Sequence, residues 1–138
     1  MAELPGELQV EGTMENLPVI LEFIAGSMRK HHVDDIKAFE IRLAVDEIAT
    51  NVITHAYRTM RGNIRVACRR EDGDIVITIK DEGAPFDPTK VPPPDLSMDL
   101  DRRKIGGLGV YFAKKAMDSV TYRREEGSNV LTMTKMIG

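Results

Sequence analysis

Ile64-Arg65-Val66-Ala67-Cys68-Arg69-Arg70-Glu71-Asp72-Gly73-Asp74-Ile75-Val76-Ile77-Thr78-Ile79-Lys80-Asp81 decides the fold class. Ile64, Val66 and Cys68 alternate with Arg65, Ala67 and Arg69, which is the period-two pattern of a half-buried strand. Ile75, Ile77 and Ile79 repeat it, and Glu71-Asp72-Gly73-Asp74 between them reads as a hairpin turn. Two strands in direct succession with no helix between them argue for antiparallel pairing. They argue against a doubly wound parallel sheet, whose strands and helices alternate.

Working outward, Leu8 and Val10 suggest a short first strand. A helix should follow, with Asn16 as its cap, Pro18 in its first turn, and Leu17, Ile20, Leu21, Ile24 and Met28 at helical spacing. Asp34-Asp35 place negative charge at the start of a second helix, predicted from about Ile36 to about Tyr57 with no Gly or Pro inside. After the hairpin, a third helix is expected from near Leu108 to about Asp118. Val120 to Arg124 and Val130 to Met136 then form a last strand pair around the turn Glu126-Gly127-Ser128-Asn129. The order β-α-α-β-β-loop-α-β-β predicts a two-layer α+β sandwich. Its sheet is expected to be mixed, mostly antiparallel, with three helices on one face.

Composition narrows the function classes. With 138 residues, the chain is long enough for a self-sufficient core, and residues 1–138 are expected to form one domain. Lys and Arg number 19 against 22 Asp and Glu, giving a net charge of -3 and no global attraction to nucleic acid or anionic lipid. One cysteine builds no internal disulfide, so a reducing cytoplasm is the expected compartment. No apolar run approaches the roughly 20 residues of a membrane helix, and Met1 to Gly12 carry no secretory pattern.

Four groups of residues carry possible chemistry. Glu47 and Asn51, four apart in Val45-Asp46-Glu47-Ile48-Ala49-Thr50-Asn51, lie about 40° apart on one helix face. They share that sector with Ala44 and Ile48, not with Arg42. An amide oxygen is a hard ligand suited to Mg²⁺, and a carboxylate beside it can accept a proton from a hydroxyl or water; a solvated helix edge accounts for the same pair. Asp81, followed by Glu82-Gly83-Ala84-Pro85, can present a carboxylate to the exocyclic amine of adenine, where guanine carries a carbonyl oxygen. A plain strand exit is the other reading. Gly106, Gly107 and Gly109 lead into Val110 to Lys115, so that an anion could approach amides at a helix N-terminus; a simple glycine-rich turn is the other reading.

The fourth group is the segment between them. Five of the seven prolines, Pro85, Pro88, Pro92, Pro93 and Pro94, fall between Ala84 and Asp95. A structureless stretch of about 25 residues, Glu82 to Gly106, exceeds the roughly 15 usual inside a domain and reads as a lid or binding loop. Arg102, Arg103 and Lys104 at its end could reach phosphates or form a solvated charge run. His31, His32 and His55 lack zinc-ligand spacing, Cys68 sits on the apolar face of its strand, and the eight methionines look like core filler.

Together these motifs resemble the GHKL (gyrase, Hsp90, histidine kinase-like) ATPase superfamily, and within it the anti-sigma factor serine/threonine-protein kinase family. Val45 to Tyr57, with Glu47 and Asn51, matches the N box; Asp81 and Gly83 match the G1 box; Gly107 and Gly109 match the G2 box. Gly127-Ser128-Asn129 stands where a Gly-Thr pair is usual. The resemblance covers nearly the whole chain and implies ATP and Mg²⁺ as cofactors. By it, Asn51 binds Mg²⁺, Glu47 is the catalytic base, Asp81 with Gly83 holds adenine, and Gly107, Leu108 and Gly109 contact phosphate under an ATP lid at about residues 84–106. It implies an anti-sigma factor with kinase activity towards a serine or threonine of an antagonist protein. The implied partners are that antagonist, a sigma factor and a second copy in a homodimer, without nucleic acid or membrane. A nucleotide-binding module that sequesters its partner without efficient transfer is the alternative. Two positions depart from the family: Pro85 stands where a second G1 glycine is usual and should stiffen the lid entrance. Ile105 stands where some kinases carry arginine.

Overall fold

The computed structural model describes residues 2–4, 6–90 and 107–138. Among them, six strands form one sheet in the order β1-β2-β3-β4-β6-β5. They are β1 (Ala2–Leu4), β2 (Glu7–Glu11), β3 (Asn63–Glu71), β4 (Asp74–Asp81), β5 (Ser119–Glu125) and β6 (Ser128–Met136). The helices are α1 (Leu17–Lys30), α2 (Asp35–Asn51) and α3 (Gly107–Ala116). The α+β sandwich expected from the order of elements is the observed architecture. The sheet is not mixed: every neighbouring pair is antiparallel. Three pairs are hairpins, and α1 and α2 together form an up-and-down excursion that returns the chain beside β2 running the opposite way.

Register builds the core. Across the helix-facing side runs the row Leu8, Val66, Ile79, Leu131, Tyr122, and beside it Cys68, Ile77, Met133, Val120. Ile20, Ile24 and Met28 of α1, Ile41, Ala44, Val45 and Ile48 of α2, and Ala113 of α3 close over them. Each large aliphatic side chain removed from water here contributes about 1.5–3 kcal/mol. A third row, Val10, Ile64, Asp81, Asn129, Arg124, starts apolar and ends polar.

Several boundaries differ from those predicted. The first strand is preceded by β1, which pairs with it around Gly6; three residues carry no period to read. Asn16 does not cap α1: its side chain donates to Glu11 O at 2.9 Å, whereas Asp34 does cap α2, accepting from the Lys37 N–H at 3.0 Å. The long second helix ends as an α-helix at Asn51 and continues as a π turn, Val52–Ala56, in which the Tyr57 N–H bonds to Val52 O, five residues back. Helix α3 begins at Gly107, so the two glycines lie inside its first turn. The last hairpin turns on Glu126 and Gly127 alone, with φ of 47° and 82°, a two-residue turn of positive φ. Ser128 and Asn129 therefore belong to β6. The methionines divide: Met28, Met117 and Met133 are core, while Met14, Met60 and Met136 are exposed. Cys68 is buried, which pushes its thiol up to about 11. No helix among the described residues is long and apolar enough to cross a membrane. Of the prolines, Pro5, Pro92, Pro93 and Pro94 lie outside the described residues, as do Ile105, Gly106 and the Arg102-Arg103-Lys104 run.

Candidate functional site

The last turns of α2 supply the first half of the site. Ala44 and Ile48 are fully buried, as their sector requires, and Asn51 is 3% exposed while Glu47 is half-buried. Asn51 spends its Nδ2–H on the Glu47 backbone carbonyl at 2.7 Å. That bond fixes the amide, and among the described residues nothing donates to Asn51 Oδ1 or to the Glu47 carboxylate. Burial, and after it the neighbouring Asp46 charge, raises Glu47 above its ordinary value. A half-buried carboxylate with raised pKa and no donor among the described residues is poised to take a proton.

The second half is the exit of β4. Asp81 is 2% exposed. Its Oδ1 accepts from the Gly83 N–H at 2.9 Å and from Asn129 Nδ2 at 2.8 Å. Burial raises the Asp81 pKa, opposed by those two bonds and by the Arg124 charge. Both hydrogen bonds go to one oxygen; among the described residues none reaches Oδ2.

The two halves are fastened together by the π turn. Widening the last turn of α2 carries Ala56 O to the Ala84 N–H at 3.0 Å. Gly83 is pressed so close that a Cβ there would lie 2.5 Å from Ala56 O. Tyr57, whose ring is seated between Gly12 and Gly62, donates to Asn63 O at 2.6 Å and accepts from the Glu82 N–H at 2.8 Å. The His55 ring stacks on Phe86 with centroids 4.8 Å apart. Pro85, the residue standing in place of glycine, is exposed between these anchors. Pro88–Lys90 form a short 3-10 turn packed against β5, and Lys114 of α3 donates to Thr89 O. Helix α3 packs on α2, which brings the first turn holding Gly107 and Gly109 to the same helical layer as Glu47 and Asn51. The side chain of Leu108 and residues 91–106 of the expected lid lie outside the described residues.

Sequence reasoning missed Tyr57, Arg124 and the role of Asn129. Tyr57 is found by its seat, since two distant glycines make room for its ring. Asn129 is found by register, since it stands directly opposite Asp81.

The residues fit Mg²⁺ in a limited sense. Among the described residues no three His, Cys, Asp or Glu groups gather to cage a metal. One amide oxygen on Asn51, to which no described residue donates, suits an ion that takes its other ligands from phosphates and water.

The chain is similar to known proteins over nearly its whole length. Residues 10–135 match the family model of the histidine kinase-like ATPase domain. The serine-protein kinases RsbW of Bacillus cereus and Bacillus thuringiensis are each 30% identical to this chain, covering 95% of it and 84% of their own length. The crystal structure of the RsbU and RsbW domains of a Mycobacterium tuberculosis protein superposes with a TM-score of 0.67 at 18% identity, over 95% of this chain and 32% of that one. The SiaB–SiaC complex from Pseudomonas aeruginosa gives 0.55 at 12% identity, over 94% of this chain and 89% of that one. At those identities the two structures show a shared fold.

Proposed function

The chain belongs to the histidine kinase-like ATPase domain family, and from that premise we propose that it is an ATP-dependent protein serine/threonine kinase acting as an anti-sigma factor. The observation that carries the reading is the pairing, on one face of α2, of a half-buried carboxylate with a raised pKa and an amide whose nitrogen is spent on the main chain, which leaves its oxygen as the acceptor. The RsbW relatives, named serine-protein kinases, support the activity.

In this reading Asp81 Oδ2 accepts the exocyclic amine of adenine, and the amides of Gly107, Leu108 and Gly109 at the start of α3 meet phosphate oxygens. Bound Mg²⁺, held by Asn51 Oδ1 and the phosphates, would supply positive charge against the triphosphate. Glu47 takes the proton from a serine or threonine hydroxyl as its oxygen bonds to the γ-phosphorus and ADP departs with the bridging oxygen. Residues 84–106 form the lid over the nucleotide. The acceptor is an antagonist protein, a sigma factor is the second partner, and the kinase works as a homodimer in the cytoplasm. All 138 residues serve as one kinase domain.

The test is direct. Protein incubated with Mg²⁺-ATP and the candidate antagonist should add one phosphoryl group to it by intact mass, at a serine or threonine. No transfer, from a preparation that binds ATP, refutes the kinase assignment.

A further inference from the structure

Helix α2 is apolar on two opposite sides. Ile41, Ala44, Val45 and Ile48 face the sheet and are fully buried. On the far side Ile36, Phe39 and Leu43 are 74%, 63% and 37% exposed, at spacings of three and four that stack them into one stripe. At 100° per residue the three fall within a sector of about 60°. A lone exposed apolar side chain is ordinary, whereas three aligned on one helix make a patch. None of the three belongs to the core. Isoleucine and phenylalanine are poorer helix formers than lysine or glutamate, so the stripe does nothing for α2 itself.

The stripe runs into the candidate site. Glu47 follows Leu43 by one turn, about 20° outside the sector, and Thr50 lies inside it. Along the helix axis Leu43, Phe39 and Ile36 stand about 6, 12 and 17 Å from Glu47. A protein whose hydroxyl reaches Glu47 must cover the surface around it. An ordinary interface of about 800 Å² per partner is a disc of about 16 Å radius, which holds Leu43 and Phe39 and has Ile36 at its edge. A second copy seated on this side would shut the acceptor out. The charges here are mainly negative: Asp35 and Asp46 flank the two ends of the stripe and Glu47 closes it, against Arg42 alongside. Glu40 is taken by Lys135 at 3.0 Å.

We propose that Ile36, Phe39 and Leu43 form the docking stripe for the protein that accepts the phosphoryl group, whose matching surface is an apolar patch rimmed by lysine or arginine beside its reactive serine or threonine. The proposal rests on the reading of Glu47 as the base of a protein kinase. Burial of the stripe supplies affinity, and the negative frame steers and orients the approach. The stripe meets the acceptor equally in the ground state and the transition state, so it acts on binding and not on the chemical step.

Steady-state transfer from Mg²⁺-ATP to the antagonist protein tests this. The double variant Ile36→Gln, Phe39→Gln keeps helix propensity and removes the apolar surface. Its KM for the antagonist should rise at least about tenfold, with kcat and the KM for ATP unchanged. Met136→Gln, at an exposed apolar residue on the face of the sheet away from α2, should change none of the three. In wild type the KM for the antagonist should rise with added NaCl, and less steeply in Asp35→Asn. An unchanged KM in the double variant overturns the proposal, and a salt-independent KM overturns the cationic rim. A double variant that instead loses ATP affinity or thermal stability shows the stripe packing against its own chain, and one that only changes sedimentation shows a self-interface; either result overturns the proposal. If wild type transfers nothing to the antagonist, the kinase reading itself fails and the docking stripe falls with it.

Discussion

Asn51 donates its Nδ2–H to the backbone carbonyl of Glu47 at 2.7 Å, one helical turn back. The residue proposed to hold the metal is therefore oriented by the main chain of the residue proposed to take the proton, not by its carboxylate. Changes to the Glu47 side chain leave this bond in place, so nucleotide binding and phosphoryl transfer are separable at adjacent positions.

Glu47→Gln is accordingly expected to bind Mg²⁺-ATP as wild type does and to lose about 10²–10⁴-fold in transfer. Titration calorimetry and radiolabel transfer check the two halves. Asn51→Ala should do the reverse to the metal, lowering the Mg²⁺-dependent gain in ATP affinity while affinity for metal-free ADP changes little. Transfer by Glu47→Gln at the wild-type rate would remove the base assignment.

The pH profile follows from Glu47. A base works ionised, and burial together with Asp46 raises its pKa. Transfer should therefore climb with pH through a limb lying above the ordinary carboxylate value. Asp46→Asn removes the like charge yet keeps the Oδ1 acceptor that Thr50 Oγ1 meets at 3.4 Å. The limb should move to lower pH in that variant, seen as a displaced midpoint in kcat against pH; an upward displacement contradicts the electrostatic account.

Asp81 is expected to cost the unliganded protein stability. Its folded pKa is raised above 3.8, so the folded state binds the proton more tightly than the unfolded one. Wild-type stability relative to Asp81→Asn should then improve as pH falls from the raised folded value towards 3.8, and be poorest above it. Thermal unfolding of both proteins from neutral to acid pH measures the gap, which should narrow on acidification.

Tyr57→Phe removes the hydroxyl that joins Asn63 O to the Glu82 N–H. Two backbone groups lose their partner, at a cost of about 1–3 kcal/mol in chemical denaturation. Because Glu82 lies between Asp81 and Gly83, ADP affinity should weaken as well.

Gly83→Ala drives a Cβ to within 2.5 Å of Ala56 O. The turn must lift away from the end of α2, losing the Ala84–Ala56 bond, with an expected destabilisation of about 1–3 kcal/mol. Loss of nucleotide binding should accompany it.

Local chemistry explains what could be read from the sequence. The β3–β4 hairpin announces itself by period, and the α2 cap by Asp34 beside a helical pattern. Glu47 and Asn51 are legible together because helical geometry converts a spacing of four into one face. The π turn is not, since Val52, Ile53 and Ala56 continue a helical pattern and only the pull of Ala84 on Ala56 O distinguishes it. Asn129 looked like a turn residue because Glu126-Gly127-Ser128-Asn129 is all turn-forming chemistry. Positive φ at two residues closes that hairpin early and places Asn129 opposite Asp81, a relation between residues far apart in the chain. The lid expected at about residues 84–106 is read from the sequence only as an interruption by proline, and residues 91–106 lie outside the described residues.

The row Val10, Ile64, Asp81, Asn129, Arg124 has a consequence for assembly of the sheet. A slip of one residue in β4 would turn Asp81 outward and Lys80 inward, exchanging an acceptor for a cation. The strand alignment that buries Ile75, Ile77 and Ile79 is the same alignment that aims the Asp81 carboxylate. A nucleotide held there would bind only the correctly threaded chain and, by mass action, draw misaligned hairpins towards it. The ligand would thereby proofread the fold.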